Sequence, residues 1–173
     1  GIYIATWNGQ DWSDPQPFPY NSPEYDIGYP ALSGDGNRLY FSARNPAGYG
    51  KFDLYYSDLE NGLWTDPVNL GNVINTAESE VFPFLYKDTR LYFSSAGHGG
   101  SGGLDIFYSD QVDGEWTTPV NMPRPFNSRS DDFGFVANAE IDTGYFTSNR
   151  RGSDDIYSFI SAFPAFAGCP EQV

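Results

Sequence analysis

The chain has 173 residues, 18% of them aromatic, and sets 9 Lys and Arg against 23 Asp and Glu for a formal net charge of -14. A field of that sign repels nucleic acid and anionic lipid surfaces, and no apolar run is long enough to cross a bilayer as a helix, so neither nucleic-acid binding nor direct membrane insertion is expected. The lone Cys169 excludes an internal disulfide and a thiolate metal cluster, while 19 Gly, 13 Pro and hardly any helical periodicity point to an all-β chain of short strands and tight turns.

In chain order, IYIAT (2–6) is the first strand candidate, followed by Asn8-Gly9 and a strand starting at Trp12. After Asp26 come IGYPAL (27–32), Asp35-Gly36, RLYFSA (38–43), DLYYSD (53–58), Asn61-Gly62 and a strand from Trp64. After Glu80 the order recurs as VFPFLY (81–86), RLYFSS (90–95), DIFYSD (105–110), Asp113-Gly114 and a strand from Trp116. After Asp132 it recurs once more as FGFVAN (133–138), GYFTS (144–148) and DIYSF (155–159), with no recognisable fourth strand. Asn-Gly and Asp-Gly tolerate positive φ at both turn centres, so they close tight antiparallel hairpins.

The order is a repeat. DLYYSDLENGLWTDPVNL (53–70) returns as DIFYSDQVDGEWTTPVNM (105–122), and Trp12, Trp64 and Trp116 are spaced 52 residues apart, as are Pro15, Pro67 and Pro119. Asn21, Asn75 and Asn127 follow, then the acids Asp26, Glu80 and Asp132, then the pairs Tyr40-Phe41, Tyr92-Phe93 and Tyr145-Phe146. One four-stranded meander cannot bury both faces. Sheets stacked about 10 Å apart bury them with bulky aromatics, and radial stacking of such units is the β-propeller. Its first strands line a central channel as edges, where Pro30 and Pro83 are tolerated. A β-sandwich, the rival, does not require one unit three times in register. The expected organisation is a half-blade over 1–20, blades over about 26–70, 80–122 and 132–160, and a tail over 161–173. Since propellers close with about 4–8 blades, the stretch reads as a segment of a larger one.

The pattern PALSGDGNRLYFS (30–42), followed by a Gly and then Asp-Leu-Tyr, resembles the WD-like (PD40) repeat of TolB-type propellers. Trp64 to Gly71, Ile74 to Thr76, Glu80 to Phe84 and Leu91 to Phe107 bring it closer still to the repeats of OmpA-family cell-envelope proteins of gliding and type IX secreting bacteria. The resemblance covers residues 1 to about 160. It implies a periplasmic, outer-membrane-associated recognition or scaffold module that binds a protein partner or a glycan such as peptidoglycan, within a larger envelope complex.

Several residues invite chemical roles. Asp26, Glu80 and Asp132 start the innermost strands, where radial symmetry would ring them about one channel mouth and could hold a hard cation such as calcium. The preferred reading is that each serves the repeat by accepting backbone N–H bonds from the neighbouring blade. Asp53, Asp105 and Asp155 are read as loop caps. GGSGG (99–103) spells GxSxG beside His98, but a nucleophile elbow needs a strand, a sharp turn and a helix, so neither Ser101 nor His98 is read as catalytic. The serines at 57 and 109 resemble sialidase Asp-boxes, with both spacings off by one. The three tryptophans are read as packing between blades rather than as a sugar-stacking surface. Arg150-Arg151, Asp131-Asp132 and Asp154-Asp155 are read as solvated charged loop pairs. No cofactor is expected, and the module is expected to be non-enzymatic; the alternative is a glycan-active hydrolase, whose carboxylates would stand in some blades and be missing from the equivalent place in others.

Overall fold

The computed structural model describes residues 1–161, and the segment from Ala162 onward, with Cys169, lies outside them. The described residues form an all-β structure of four antiparallel sheets. The first is a two-stranded ribbon of β1 (Tyr3–Ile4) and β2 (Gln16–Pro17). The second runs β3 (Ile27–Leu32), β4 (Arg38–Ala43), β5 (Asp53–Glu60), then β6 (Leu63–Trp64) and β7 (Val68–Asn69), both paired with β5. The third repeats it as β8 (Glu80–Tyr86), β9 (Arg90–Ser95), β10 (Asp105–Val112), β11 (Glu115–Trp116) and β12 (Val120–Asn121). The fourth has β13 (Asp132–Ala137), β14 (Thr143–Ser148) and β15 (Asp155–Ile160).

The strand expected to start at each tryptophan is broken in two. Thr65 turns its hydroxyl to accept the Asp58 amide at 3.0 Å, and its carbonyl accepts the Ser57 hydroxyl at 2.6 Å. Thr117 does the same with Asp110 and Ser109. Two residues on, Pro67 and Pro119 have no N–H to give, so the ladder stops and resumes at β7 and β12. The turns also divide. Asn61-Gly62 and Asp113-Gly114 hold both centres at positive φ as expected, whereas at Asn8-Gly9 and Asp35-Gly36 only the glycine does. There the side chain supplies the turn instead: Asn8 Oδ1 accepts the amides of Gln10 and Asp11, and Asp35 Oδ1 accepts the Ser33 hydroxyl at 2.6 Å and the Asn37 amide. Those bonds hold the exposed Asp35 carboxyl down at about 2, the Ser33 hydroxyl contributing most.

Strand alternation gives each sheet a front face toward the preceding sheet and a back face toward the following one. Phe41 and Tyr55 face forward onto Ile2 and Phe18 of the ribbon, joined by Trp64. Phe93 and Phe107 face forward onto Leu54 and Ile74, joined by Trp116. Phe146 faces forward onto Ile106, Met122 and Phe126, where Tyr92 also packs on Phe135 at a ring separation of 4.7 Å. The neighbours Leu54 and Tyr55, or Ile106 and Phe107, thus belong to opposite interfaces. Burying a Phe or Leu contributes roughly 1.5–3 kcal/mol each, so these faces dominate stability. Trp64 lies edge-on to Phe18 and Trp116 edge-on to Tyr40, both across the junction to the preceding sheet. Trp12 is 67% exposed and its ring lies 5.5 Å from that of Trp7 of the same ribbon, since no sheet lies in front of the ribbon among the described residues.

One side chain per linker locks each sheet to the connection leaving it. Asn75 Oδ1 accepts the Leu54 amide at 2.7 Å and its Nδ2 donates to the Leu54 carbonyl at 3.0 Å. Asn127 does so to Ile106 and Asn21 to Ile2. A carboxamide here imitates the missing neighbour strand, one donor and one acceptor at a time.

Candidate functional site

The linkers end on the acids. Each reads Asn, Ser or Thr, three further residues, then an acid: 21–26, 75–80 and 127–132. Glu80 is fully buried and accepts the Thr76 amide and hydroxyl, each at 2.8 Å, and the Ser95 hydroxyl at 2.6 Å. Asp132, also fully buried, accepts the Ser128 amide and hydroxyl on one oxygen and the Arg150 guanidinium at 2.6 Å on the other. Asp26 stands at the same offset but is exposed, beside Arg44 in an open cleft of about 380 Å³. Among the described residues, no three His, Cys, Asp or Glu side chains gather into a group able to hold a metal ion, and Asp26, Glu80 and Asp132 do not form one. Glu80 and Asp132 are committed to their own linkers.

Two of the charged pairs expected to be solvated are corrected. Asp132 is fully buried, and Arg150 donates to the carbonyls of Pro125 and Phe126, to Ser148 and to Asp132, tying the last sheet to the linker before it. Its neighbour Arg151 is exposed. The repeat hid this role, since the residue two beyond the matching Ser95 is Gly97.

The aspartates opening the third strands cap the loops before them, unequally. Asp53 accepts the Tyr49 and Gly50 amides and Asn69 Nδ2 at 2.6, 3.1 and 2.9 Å, so both oxygens are used. Asp105 accepts the Ser101 and Gly102 amides on Oδ2, each at 3.0 Å, while its buried Oδ1 has no partner. Burial pushes the Asp105 carboxyl up, with the charges of Asp132 and Asp131 adding to the rise against the two amide bonds. Asp155 departs from the expected cap: it is exposed and accepts the Ser153 hydroxyl at 3.4 Å, with no backbone amide bonded to it among the described residues.

A difference in mutant behaviour follows. Asp53→Asn should cost about 2 kcal/mol, because an amide replaces an acceptor that two N–H groups require. Asp105→Asn should be neutral or stabilising at pH 7, its oxygen keeping both amides and its NH₂ carrying no charge. A carboxyl whose pKa rises on folding adds stability that is complete below the ordinary carboxylate range and lost as pH rises through the folded value. The Asp105→Asn advantage should therefore shrink as pH falls through that range, read from urea unfolding at pH 4 and 7.

The loop of His98 and Ser101 lacks the helix that a nucleophile elbow needs. The His98 Nε2 is 2.8 Å from the Ile74 carbonyl, and its ring lies against Phe93 and Phe107. Ser101 gives its amide to Asp105, in a loop that leads into β10 rather than a helix. The imidazole fills the junction between two sheets.

A surface that the sequence did not single out lies along the first strands. β3 touches β8, and β8 touches β13. Each carries a bulge at one repeat position, where Tyr29, Phe82 and Gly134 have φ of 54°, 54° and 65°. Positive φ at a bulky residue is strained by roughly 1–3 kcal/mol and gathers at binding sites. The bulges set Phe82 between Tyr29, at 4.3 Å, and Phe133, at 5.1 Å, in a row of rings. Tyr29, Pro30, Phe82, Pro83, Gly134 and Phe135 help line a shallow cavity of about 210 Å³ beside it. The sequence held one clue: Gly134 occupies the position of Tyr29 and Phe82, and glycine is the residue that takes positive φ without strain.

No known protein family matches the chain by sequence, and no curated protein does. Among solved structures 11 chains match. One is described as the structure of a Mycobacterium tuberculosis puromycin-hydrolyzing peptidase, with a TM-score of 0.57, 14% identity, and coverage of 94% of this chain and 29% of that one. The present chain thus spans under a third of that protein's length, and the likeness is one of fold.

Proposed function

We propose that this chain is part of a β-propeller that serves as a non-enzymatic recognition or scaffold module of a bacterial cell-envelope protein, in the periplasm and associated with the outer membrane. Four sheets stacked in sequence, with first strands side by side, support the radial arrangement. The resemblance of the repeats to those of OmpA-family envelope proteins supports the setting. The observation that carries recognition is the row Tyr29, Phe82 and Phe133 on strained inner-edge bulges, with Tyr29 42% exposed. Rings with free faces stack on sugars or on apolar side chains of a partner. The buried carboxylates Glu80 and Asp132 recur at one repeat position and are bonded within their linkers, an arrangement that favours a frame over a reaction centre.

Co-sedimentation with purified peptidoglycan, alongside an assay for released sugar, tests this reading. Binding without turnover, weakened about tenfold by Phe82→Ala, is the expected result. Absence of binding would direct the module to a protein partner. Turnover abolished by Asp26→Asn, Glu80→Gln or Asp132→Asn in a folded chain would replace it with a hydrolase.

A further inference from the structure

A cavity of about 230 Å³ opens at the junction of the second and third sheets, where Asp35, Arg38, Tyr40 and Asp58 of one meet Leu85 and Asp88 of the other. Both sheets are packed on a neighbour at either side. The cavity lies by the turns that follow β3 and β8 and shares no lining residue with the one beside the row of rings. Its polar groups fall into two sets. Arg38 donates Nε and Nη2 to the two oxygens of Asp58, at 2.6 and 2.9 Å, and lies over the Tyr56 ring at 4.2 Å, which leaves Nη1 without an acceptor. Tyr40 is 2% exposed, and no carbonyl or carboxylate takes its hydroxyl proton. Burial pushes that hydroxyl's pKa up, and the Arg38 guanidinium beside it works against the rise. The hydroxyl of Tyr92, its counterpart one repeat on, is instead buried without a partner. The second set is anionic. Asp35, held down at about 2, stays ionised well into acid, and Asp88 accepts the Gly34 amide on Oδ1 at 2.9 Å, leaving Oδ2 unbonded among the described residues. Asp58 is matched by Arg38, so Asp35 and Asp88 stand in excess.

We propose that this cavity binds a basic amino acid, free or at the C-terminus of a peptide, with its carboxylate on the Tyr40 hydroxyl and Arg38 Nη1 and its positive charge toward Asp35 and Asp88. The two donors need an acceptor, and a carboxylate is the strongest one available to them. The two acids in excess need positive charge on the same molecule. A bare anion is repelled by Asp35 and Asp88, and a bare amine leaves Tyr40 and Arg38 unmet. A metal ion fails too, since Tyr40 and Arg38 offer it protons rather than lone pairs and no three acids gather around it among the described residues. The volume falls below the roughly 300–1,000 Å³ of a drug-sized pocket, which limits the ligand to about one residue.

Titration of L-lysine into the nitrogen-15-labelled chain tests this. The amide signals of Gly34, Asn37 and Asp88 should move along one saturable curve with a Kd of about 1 mM, as suits so small a ligand. Tyr40→Phe, which keeps the ring packed on Tyr56 and Trp116, should weaken binding about tenfold. Asp88→Asn, which keeps an oxygen for the Gly34 amide, should do the same. Cadaverine, with two ammonium groups and no carboxylate, and L-glutamate should each bind at least about tenfold more weakly than lysine. Nα-acetyl-L-lysine separates the two sources: undiminished binding assigns the site to a peptide's C-terminal residue, a loss of about tenfold assigns it to the free amino acid, and both support it. Signals that stay in place at about 50 mM lysine overturn the proposal. Glutamate binding as tightly as lysine overturns it as well, as does Tyr40→Phe or Asp88→Asn binding like wild type with unchanged circular dichroism.

Discussion

Replacing Asn75 by alanine should remove about 3 kcal/mol of stability, read as a lower urea midpoint with an unchanged slope. Leu54 is fully buried, and its amide and carbonyl are bonded to the Asn75 carboxamide. Alanine leaves a buried donor and a buried acceptor unpaired, at roughly 1–3 kcal/mol each. For a chain of this size the loss corresponds to a fall in Tm of about 6–12 °C. Asn127→Ala should match it, since Ile106 is equally buried and held in the same way. Asn21→Ala should cost clearly less, because water reaches the partly exposed pair it forms with Ile2. Asp at 75 should be no rescue: it keeps the bond from the Leu54 amide but turns a carboxylate oxygen toward the Leu54 carbonyl. Equal losses at all three sites would mean that the bonds matter through the unfolded chain and not through burial.

Gly102→Ala and Gly50→Ala should be the other severe changes, each costing about 3 kcal/mol. These glycines lie 52 residues apart, in the loops entering β10 and β5, where each loop presses on the next linker. A Cβ at Gly102 would stand 1.9 Å from the Ser130 carbonyl oxygen, and one at Gly50 would stand 2.3 and 2.5 Å from those of Thr76 and Glu78. Backbone cannot step aside as a side chain can, so one sheet must part from the next. Gly152, in the equivalent loop of the last sheet, has nothing within 4 Å of its would-be Cβ and a φ of 96°. Alanine there should cost only the backbone strain, about 1–2 kcal/mol. Limited proteolysis separates the cases, the first two opening the linker to cleavage and the third leaving it protected. Protection in all three would show that the linkers do not hold the sheets together.

Much of the architecture was legible because the repeat recorded it three times over. IGYPAL, RLYFSA and RLYFSS occupy β3, β4 and β9 at the expected bounds, since each is an alternating or aromatic run between turn residues. The broken fourth strand was not legible: its cause is a threonine hydroxyl competing with the ladder, and a Thr in a strand looks like any other β-former. Arg150 was missed because its role belongs to one sheet only, where a guanidinium reaches across to a buried acid. The row of rings was missed for the opposite reason. Nothing in IGYPAL or VFPFLY sets Tyr29 and Phe82 apart from other strand aromatics, and only the backbone bulge turns them to meet their neighbours along the strand edges. Glu80 and Asp132 accept their backbone bonds from Thr76 and Ser128 of their own linkers rather than from the neighbouring blade, because Ser or Thr stands four residues before each.

Aromatic nuclear Overhauser contacts in the 19.2 kDa chain test most directly whether one junction recurs between successive sheets. The indole of Trp64 should show contacts to the ring of Phe18, and that of Trp116 to the ring of Tyr40, while Trp12 sees only Trp7. Indoles that see only their own sheets, or a Trp12 buried like the other two, would contradict it.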